Sequence, residues 1–283
     1  MDKKALALAL FIFSLAFFYR LPISERSSPE IKKSLIIGLS FDYEDLVTDS
    51  GEKNLQDIFR VLEKHNAKAT FFVLGSTAER KPESIREIDR RGHSIGVHTY
   101  YHSFPIFRKD DAERIAIIYN TTPEYVWKRS FKTYAAFYHD LRRTQLEIMN
   151  ALGDDSIPRL FRSPSLVVNW TMDKKYLGIL KQAGIDVDSS VYQDFSNPRA
   201  YYIEDEIVEV PVVASEARLN QREILYNITE RCFSLDVPLV LFIHPQKLNE
   251  TTLEELDKFL TNLEERYNAK YAKIEEIPSL YTN

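Results

Sequence analysis

Short apolar runs, each closed by a charged residue or a histidine, recur along this chain of 283 residues. The run 34–41 leads into Asp42 and Glu44, 94–97 into His98, and 159–162 ends on Arg162. The run 185–187 precedes Asp188, and 239–243 precedes His244. Runs of this length, bounded by turn residues, read as buried strands. Two further strands are expected at 69–74 and 207–213. Between the runs lie stretches of helical spacing, of which Leu55, Ile58, Phe59 and Leu62 in 54–65 are the clearest. Helices are also expected over 83–91, 141–152, 172–183 and 253–267, with Gly92, Gly153 and Gly184 as stop signals. Strand and helix in alternation argue for a mostly parallel sheet. In a parallel barrel all strand C-termini face one rim, so the polar residues that close the runs are expected to meet there.

The bulk properties leave room for that arrangement. With 44% hydrophobic residues the chain can bury one large core, and an α/β barrel would use this length as a single domain. The net charge of −5, with acids and bases interspersed, gives no electrostatic footprint for nucleic acid. Cys232 is the one cysteine, so no intrachain disulfide can form, and it reads as a small core residue.

The N-terminus reads as a targeting segment. Lys3 and Lys4 precede an apolar stretch from Ala5 to Tyr19, shorter than the roughly 20 residues of a comfortable membrane span. No small-x-small cleavage site follows. A signal peptide or a signal anchor over 1–23 is therefore expected, with a polar linker over 24–32 and a catalytic domain over 33–283. The two lysines place the body outside the membrane, extracellular or secreted. Sequons at Asn120, Asn169, Asn227 and Asn249 agree with export and with a glycoprotein.

The densest chemistry lies in His98-Thr99-Tyr100-Tyr101-His102 and in Asp42-Tyr43-Glu44-Asp45. Histidines four apart share one face of a helical turn and can reach one metal ion. Two histidines and a carboxylate make the catalytic type of zinc site, with a position open for water, and a second carboxylate beside them can serve as base. Each rim residue also has a plainer reading: Arg162 as a surface ion pair, Asp188 as a turn cap, His244 as a satisfied histidine before Pro245. His65 is read as exposed at a helix end, His93 as structural and His139 as lying on a helix face. The aromatic stretch from Phe104 to Tyr138 reads as packing, or as a lid or sugar-stacking surface.

Taken in order, these residues resemble the polysaccharide deacetylase family, whose members include chitin, peptidoglycan and exopolysaccharide deacetylases. The resemblance runs from about Leu35 to Tyr271. It implies an α/β fold, a distorted (β/α) barrel of about seven parallel strands, and a divalent metal, most often Zn2+. It further implies hydrolysis of acetyl groups, most often N-acetyl, on a cell-surface or extracellular polysaccharide. Asp42 matches the family's base, and His98 and His102 match its metal pair. Arg162 matches the arginine that holds the base, Asp188 the acid that supports the catalytic histidine, and His244 the general acid. The family's commonest first motif has two adjacent aspartates, whereas Tyr43 follows Asp42 here. That points to Glu44 as the carboxylate ligand, with Asp45 as the alternative. Arg162-Ser163-Pro164-Ser165-Leu166 also departs from the common third motif, and the interval from His102 to Arg162 is long. Two other readings keep the fold: a metal-dependent amidohydrolase acting on a non-sugar amide, and an inactive glycan-binding homologue.

Overall fold

A computed structural model describes residues 33–46, 49–168 and 174–281. The targeting segment, the linker and the sequon at Asn169 lie outside the described residues. Among the described residues no helix is long and apolar enough to cross a membrane.

The chain opens on β1 (Ser34–Tyr43), which is buried almost throughout, as a strand covered on both faces must be. Helix α1 (Ser50–Lys64) then buries Leu55, Ile58, Phe59 and Leu62, the four residues of its apolar stripe. Next come β2 (Thr70–Val73), the short α2 (Gly75–Arg80), α3 (Pro82–Arg90) and β3 (Ser94–Val97). An insertion follows with two helices, α4 (Lys109–Ile118) and α5 (Pro123–Lys128). Helix α6 (Tyr134–Leu152) starts on Thr133, whose hydroxyl accepts from the Ala136 amide, and stops at Gly153 in the left-handed region. The chain continues through β4 (Leu160–Phe161), α7 (Lys174–Gln182) and β5 (Val187–Asp188). A hairpin of β6 (Tyr202–Glu204) and β7 (Ile207–Glu209) leads to β8 (Ala214–Ser215). Last come α8 (Arg222–Leu235), β9 (Leu239–Ile243), α9 (Glu250–Arg266) and β10 (Asn268–Ala272).

The sheet runs in the order β6-β7-β5-β4-β3-β2-β1-β9-β8, with every pair parallel except β6 against β7. The segment from β7 to β8 pairs with β5 at its start and with β9 at its end. Between them, Val212 bonds to Val191 and Gln193 while Val213 donates to Val240. This bent segment therefore joins the two sides of the sheet into a distorted barrel. Its parallel staves are β1 to β5, the β7–β8 run and β9, which matches the expected seven. Where a strand was expected over 207–213, regular pairing stops at Glu209 and resumes at Ala214. Strand β10 pairs with the first half of β1, on the edge that β2 occupies further along.

The period of two along β1 divides the core. Leu35, Ile37, Leu39, Phe41 and Tyr43 pack outward with α1 and the other helices. Ile36 faces inward with Phe72, Val240 and Phe242, above a floor of Ile274 and Ile277 from a 3-10 segment. A Cβ on Gly38 would lie 3.0 Å from Ile277 and 3.2 Å from Val240. The barrel interior is thus filled at the bottom and becomes polar only toward the C-terminal rim.

Two histidines are structural. His65 is buried, not exposed as expected: its ring bridges Glu264 at 2.9 Å and Asp257 at 2.8 Å. His93 is buried between Phe59 and Phe71, and its Nδ1 accepts from the Ala69 amide. Burial, then the nearby Lys68, Arg91 and Lys273, push its pKa down to about 4. The unfolded chain takes up this proton below about pH 6.5. The resulting stability is complete above that pH and is lost as pH falls toward 4, by on the order of 3 kcal/mol. The acid arm of a Tm-versus-pH curve should therefore be shallower in His93→Gln, and an unchanged slope would remove the assignment. Gly96→Ala would place a Cβ 2.7 Å from the Phe72 ring and 2.9 Å from the Leu160 Cβ. It should cost about 1–3 kcal/mol in urea unfolding, and a native midpoint would contradict this packing.

Candidate active site

At the C-terminal rim the inward positions of β1 turn from apolar to polar, through Ser40 to Asp42. Asp42 is 3% exposed and Arg162, just past β4, is fully buried. Arg162 donates Nη1 to Asp42 Oδ1 at 2.8 Å and to Ser40 Oγ at 2.8 Å. Its Nε donates to the Ser189 carbonyl and its Nη2 to Ser189 Oγ, both at 2.8 Å. The guanidinium lies 4.2 Å above the Phe72 ring centroid. It is therefore buried with its charge paired and most of its donors satisfied, as a buried charge requires.

His98 and His102 meet, although not on a helical turn as their spacing suggested. They lie on a loop after β3 in which Thr99 and His102 adopt left-handed φ of 62° and 59°. The loop is pinned from three sides. The amides of Gly75 and Ser76 donate to the Thr99 and Tyr100 carbonyls at 3.0 and 3.1 Å. The Tyr100 amide donates to Asp140 at 2.9 Å, and the Tyr100 hydroxyl bonds to Glu79.

The loop aims both Nε2 atoms at one oxygen, Glu44 Oε1, at 3.0 Å from His98 and 2.9 Å from His102. Burial pushes the Glu44 carboxyl up, but His102 and then His98 outweigh it and hold it well below its usual range. His98 Nδ1 lies 2.8 Å from the Arg162 carbonyl, which can only accept. Nδ1 therefore carries a proton, and this bond turns Nε2 toward the carboxylate, where it could ligate a cation. Three electron-pair donors thus converge with their ligating atoms within 4.8 Å of one another. That donor set fits a divalent cation. Asp45, the alternative ligand, is instead consumed by the Gly51 and Glu52 amides, each at 2.8 Å, and by Lys81 at 3.3 Å.

His244 follows β9 on the same rim, with Nε2 3.9 Å from Glu44 Oε1. Its Nδ1 meets Glu216 Oε2 at 2.9 Å. Burial would lower the His244 pKa, but Glu216, with Asp42 and Glu44 nearby, raises it above the ordinary imidazole value. Glu216 moves the other way: burial opposes ionisation, and the bond to His244 carries the carboxyl below its usual range. Both shifts describe an imidazolium–carboxylate pair.

The structure therefore assigns the acid beside His244 differently from the expectation. Asp188 is fully buried, and it accepts from the Tyr176 hydroxyl at 2.7 Å and from Ser190 Oγ. No contact joins it to His244 among the described residues. It stands in register with Glu209 on the neighbouring strand. Burial pushes Asp188 up to about 6, and burial together with the Asp188 charge pushes Glu209 well above its usual range. This pair anchors the Ser189–Ser190 turn on which Arg162 rests. Glu216 was missed because it closes the two-residue β8 rather than an apolar run of readable length. Gln246, whose Nε2 donates to Glu44 Oε2 at 3.0 Å, was missed as well.

Over residues 31–187, more than half of the chain, the sequence matches the profile described as polysaccharide deacetylase. The chain belongs to the polysaccharide deacetylase family. A peptidoglycan-N-acetylglucosamine deacetylase of Bacillus cereus is 54% identical over 41 residues, covering 14% of this chain and 15% of the relative. The peptidoglycan-N-acetylmuramic acid deacetylase PdaA of Bacillus subtilis is 32% identical over 85 residues, covering 29% and 32%. The matched stretches thus span less than a third of either relative. A crystal structure of a candidate polysaccharide deacetylase from Mycobacterium smegmatis superposes with a TM-score of 0.63 at 19% identity, covering 91% of this chain and 94% of that one. A family 4 carbohydrate esterase from Streptomyces lividans gives 0.51 at 16% identity, covering 85% and 93%. These likenesses show the distorted barrel shared by this chain and its relatives.

Removing the Glu216 charge with Glu216→Gln should lower the pH at which the His244 ring titrates, and Asp188→Asn should leave it in place. Histidine side-chain NMR reads both. A shift in the Asp188 variant alone would return that residue to the role expected from the sequence.

Proposed function

We propose that this family member is a metal-dependent hydrolase that removes acetyl groups, N-acetyl in the first instance, from a cell-surface or extracellular polysaccharide. The observation that carries this reading is the convergence of three groups: the Glu44–His98–His102 donor set, Asp42 fixed by Arg162, and His244 paired with Glu216.

Two imidazole nitrogens and a carboxylate suit Zn2+ best, and cobalt, nickel or iron accept the same ligands. Such an ion supplies Lewis acidity, polarising the acetyl carbonyl and lowering the pKa of water. The chain's own residues do the rest. Arg162 occupies Asp42 Oδ1, leaving Oδ2 to take a proton from the attacking water. The water oxygen bonds to the acetyl carbon, the carbon–nitrogen bond breaks, and His244 delivers a proton from Nε2 to the departing amine. Glu216 holds the His244 ring through Nδ1, so the proton to be donated sits on the nitrogen that faces the site. Acetate and a free amino sugar are the products. The apolar N-terminal segment and its lysines support export, which would bring the site to cell-surface glycans.

The fold is also carried by a Bacillus anthracis protein described as a pseudoenzyme, so activity must be read directly. The full chain should release acetate from N-acetylated oligosaccharides or peptidoglycan, lose that activity with a chelator and regain it with zinc. Asp42→Asn should slow release by roughly 10²–10⁴-fold, and His98→Ala should lower bound metal. A full complement of zinc with no acetate released from any glycan would sink the proposal.

A further inference from the structure

The insertion that carries α4 and α5 builds a wall beside the metal ligands. Phe104, Ile106, Ile115 and Val126 form a small core of their own, closed against Val167 beyond β4. Between this wall and the rim lies a cavity of about 340 Å³. Glu44 and His102 line it, so it opens onto the reacting position. Leu46, Phe104 and Val126 make apolar surface, and Tyr119 and Tyr125 add aromatic surface. Among the described residues that line it, Arg129 is the one arginine or lysine.

Arg129 is held in place by neutral partners. Its Nη1 donates to the Tyr125 hydroxyl at 3.0 Å, and its Nη2 donates to the His102 carbonyl at 3.2 Å. The guanidinium lies 5.5 Å from the ring centroids of both Phe104 and Tyr125. Among the described residues no carboxylate pairs with it, whereas Arg162 has Asp42. Nη2 also lies 3.4 Å from His102 Nδ1, so the charge stands on the far side of a metal-ligand ring. A planar cation fixed by neutral partners, half-buried beside apolar walls, is suited to bidentate recognition of a carboxylate.

We propose that this cavity receives the carboxylate of an acidic acetamido sugar next to the acetyl group to be removed, so that the substrate is an anionic glycan rather than a neutral one. The proposal rests on the deacetylase reading above. Two sources offer this chemistry: the lactyl ether of an N-acetylmuramic acid unit, whose methyl would meet the apolar wall, and the C6 carboxylate of an N-acetylhexosaminuronic acid.

The test is calorimetric binding of three disaccharides to the full chain, freed of metal so that no turnover occurs. One contains N-acetylmuramic acid, one N-acetylglucosaminuronic acid, and the third is neutral diacetylchitobiose. At least one acidic sugar should bind about tenfold or more tightly than the neutral one. The preference should collapse in Arg129→Met and survive in part in Arg129→Lys. Thr121→Glu, which adds like charge from another part of the lining, should reduce it without touching Arg129 or His102. The acidic sugar that binds names the source. Equal binding of all three, binding of none, or a preference that persists in both Arg129→Met and Thr121→Glu would overturn the proposal. Acetate release by the zinc-loaded chain separates the two readings. Selective binding without release would end the enzyme reading and leave the anion site. Release at equal rates from neutral and acidic glycans would do the reverse.

Discussion

Everything at this rim is referred to one buried guanidinium. Arg162 has no exposed surface, so its N–H groups must find their partners within the protein, and those partners come from different strands. Asp42 and Ser40 belong to β1, and Ser189 follows β5. The two serine hydroxyls pass the network on, Ser40 to the Leu241 carbonyl of β9 and Ser189 to the Val210 carbonyl beyond β7. The Arg162 carbonyl fixes the His98 ring. One residue thus orients Asp42 through its side chain and His98 through its backbone. A lysine could not replace it, because a single ammonium lacks the planar fork that reaches Asp42, Ser40 and Ser189 together.

The strand period explains how such a cluster coexists with a packed barrel. Along β1 the outward residues build the helix-facing core, while the inward series runs from Ile36 through Gly38 and Ser40 to Asp42. Gly38 admits the Ile277 side chain that plugs the bottom, Ser40 begins the polar network, and Asp42 reaches the rim. Fold and chemistry occupy alternate positions of the same strand, so a shift of register by one residue would lose both.

Much of this was legible in the sequence, because long buried strands and amphipathic helices carry a period. β1, β3, β9 and α1 could be read directly, and with them the strand ends that bear Asp42, His98 and His244. The rest depends on tertiary pairing. The β4, β5 and β8 strands are two residues each, too short to show alternation, and so neither the side to which Asp188 points nor the importance of Glu216 could be read. The His98–His102 spacing pointed to two rings that do meet, but by an incorrect route, since left-handed backbone at Thr99 and His102 has no signature when neither residue is glycine. The aromatic stretch after His102 proved to be largely packing, but what it packs is the wall of a cavity beside the site.

The protonation pattern suits the Glu44–His98–His102 set to a cation. In the Asp188–Glu209 pair, burial and the Asp188 charge keep the Glu209 carboxyl protonated, so the pair adds one negative charge from behind and not two. At the rim, the carboxylates of Asp42, Glu44 and Glu216 face one guanidinium and one imidazolium, which leaves a single negative charge in excess. A divalent cation would reverse that sign. On the proposed reaction, a loaded site would then be electropositive where negative charge develops on the acetyl oxygen. Arg129 extends the same field outward along the cavity wall. The candidate active site and the proposed anion pocket are therefore two parts of one electrostatic surface, divided by the ring of His102.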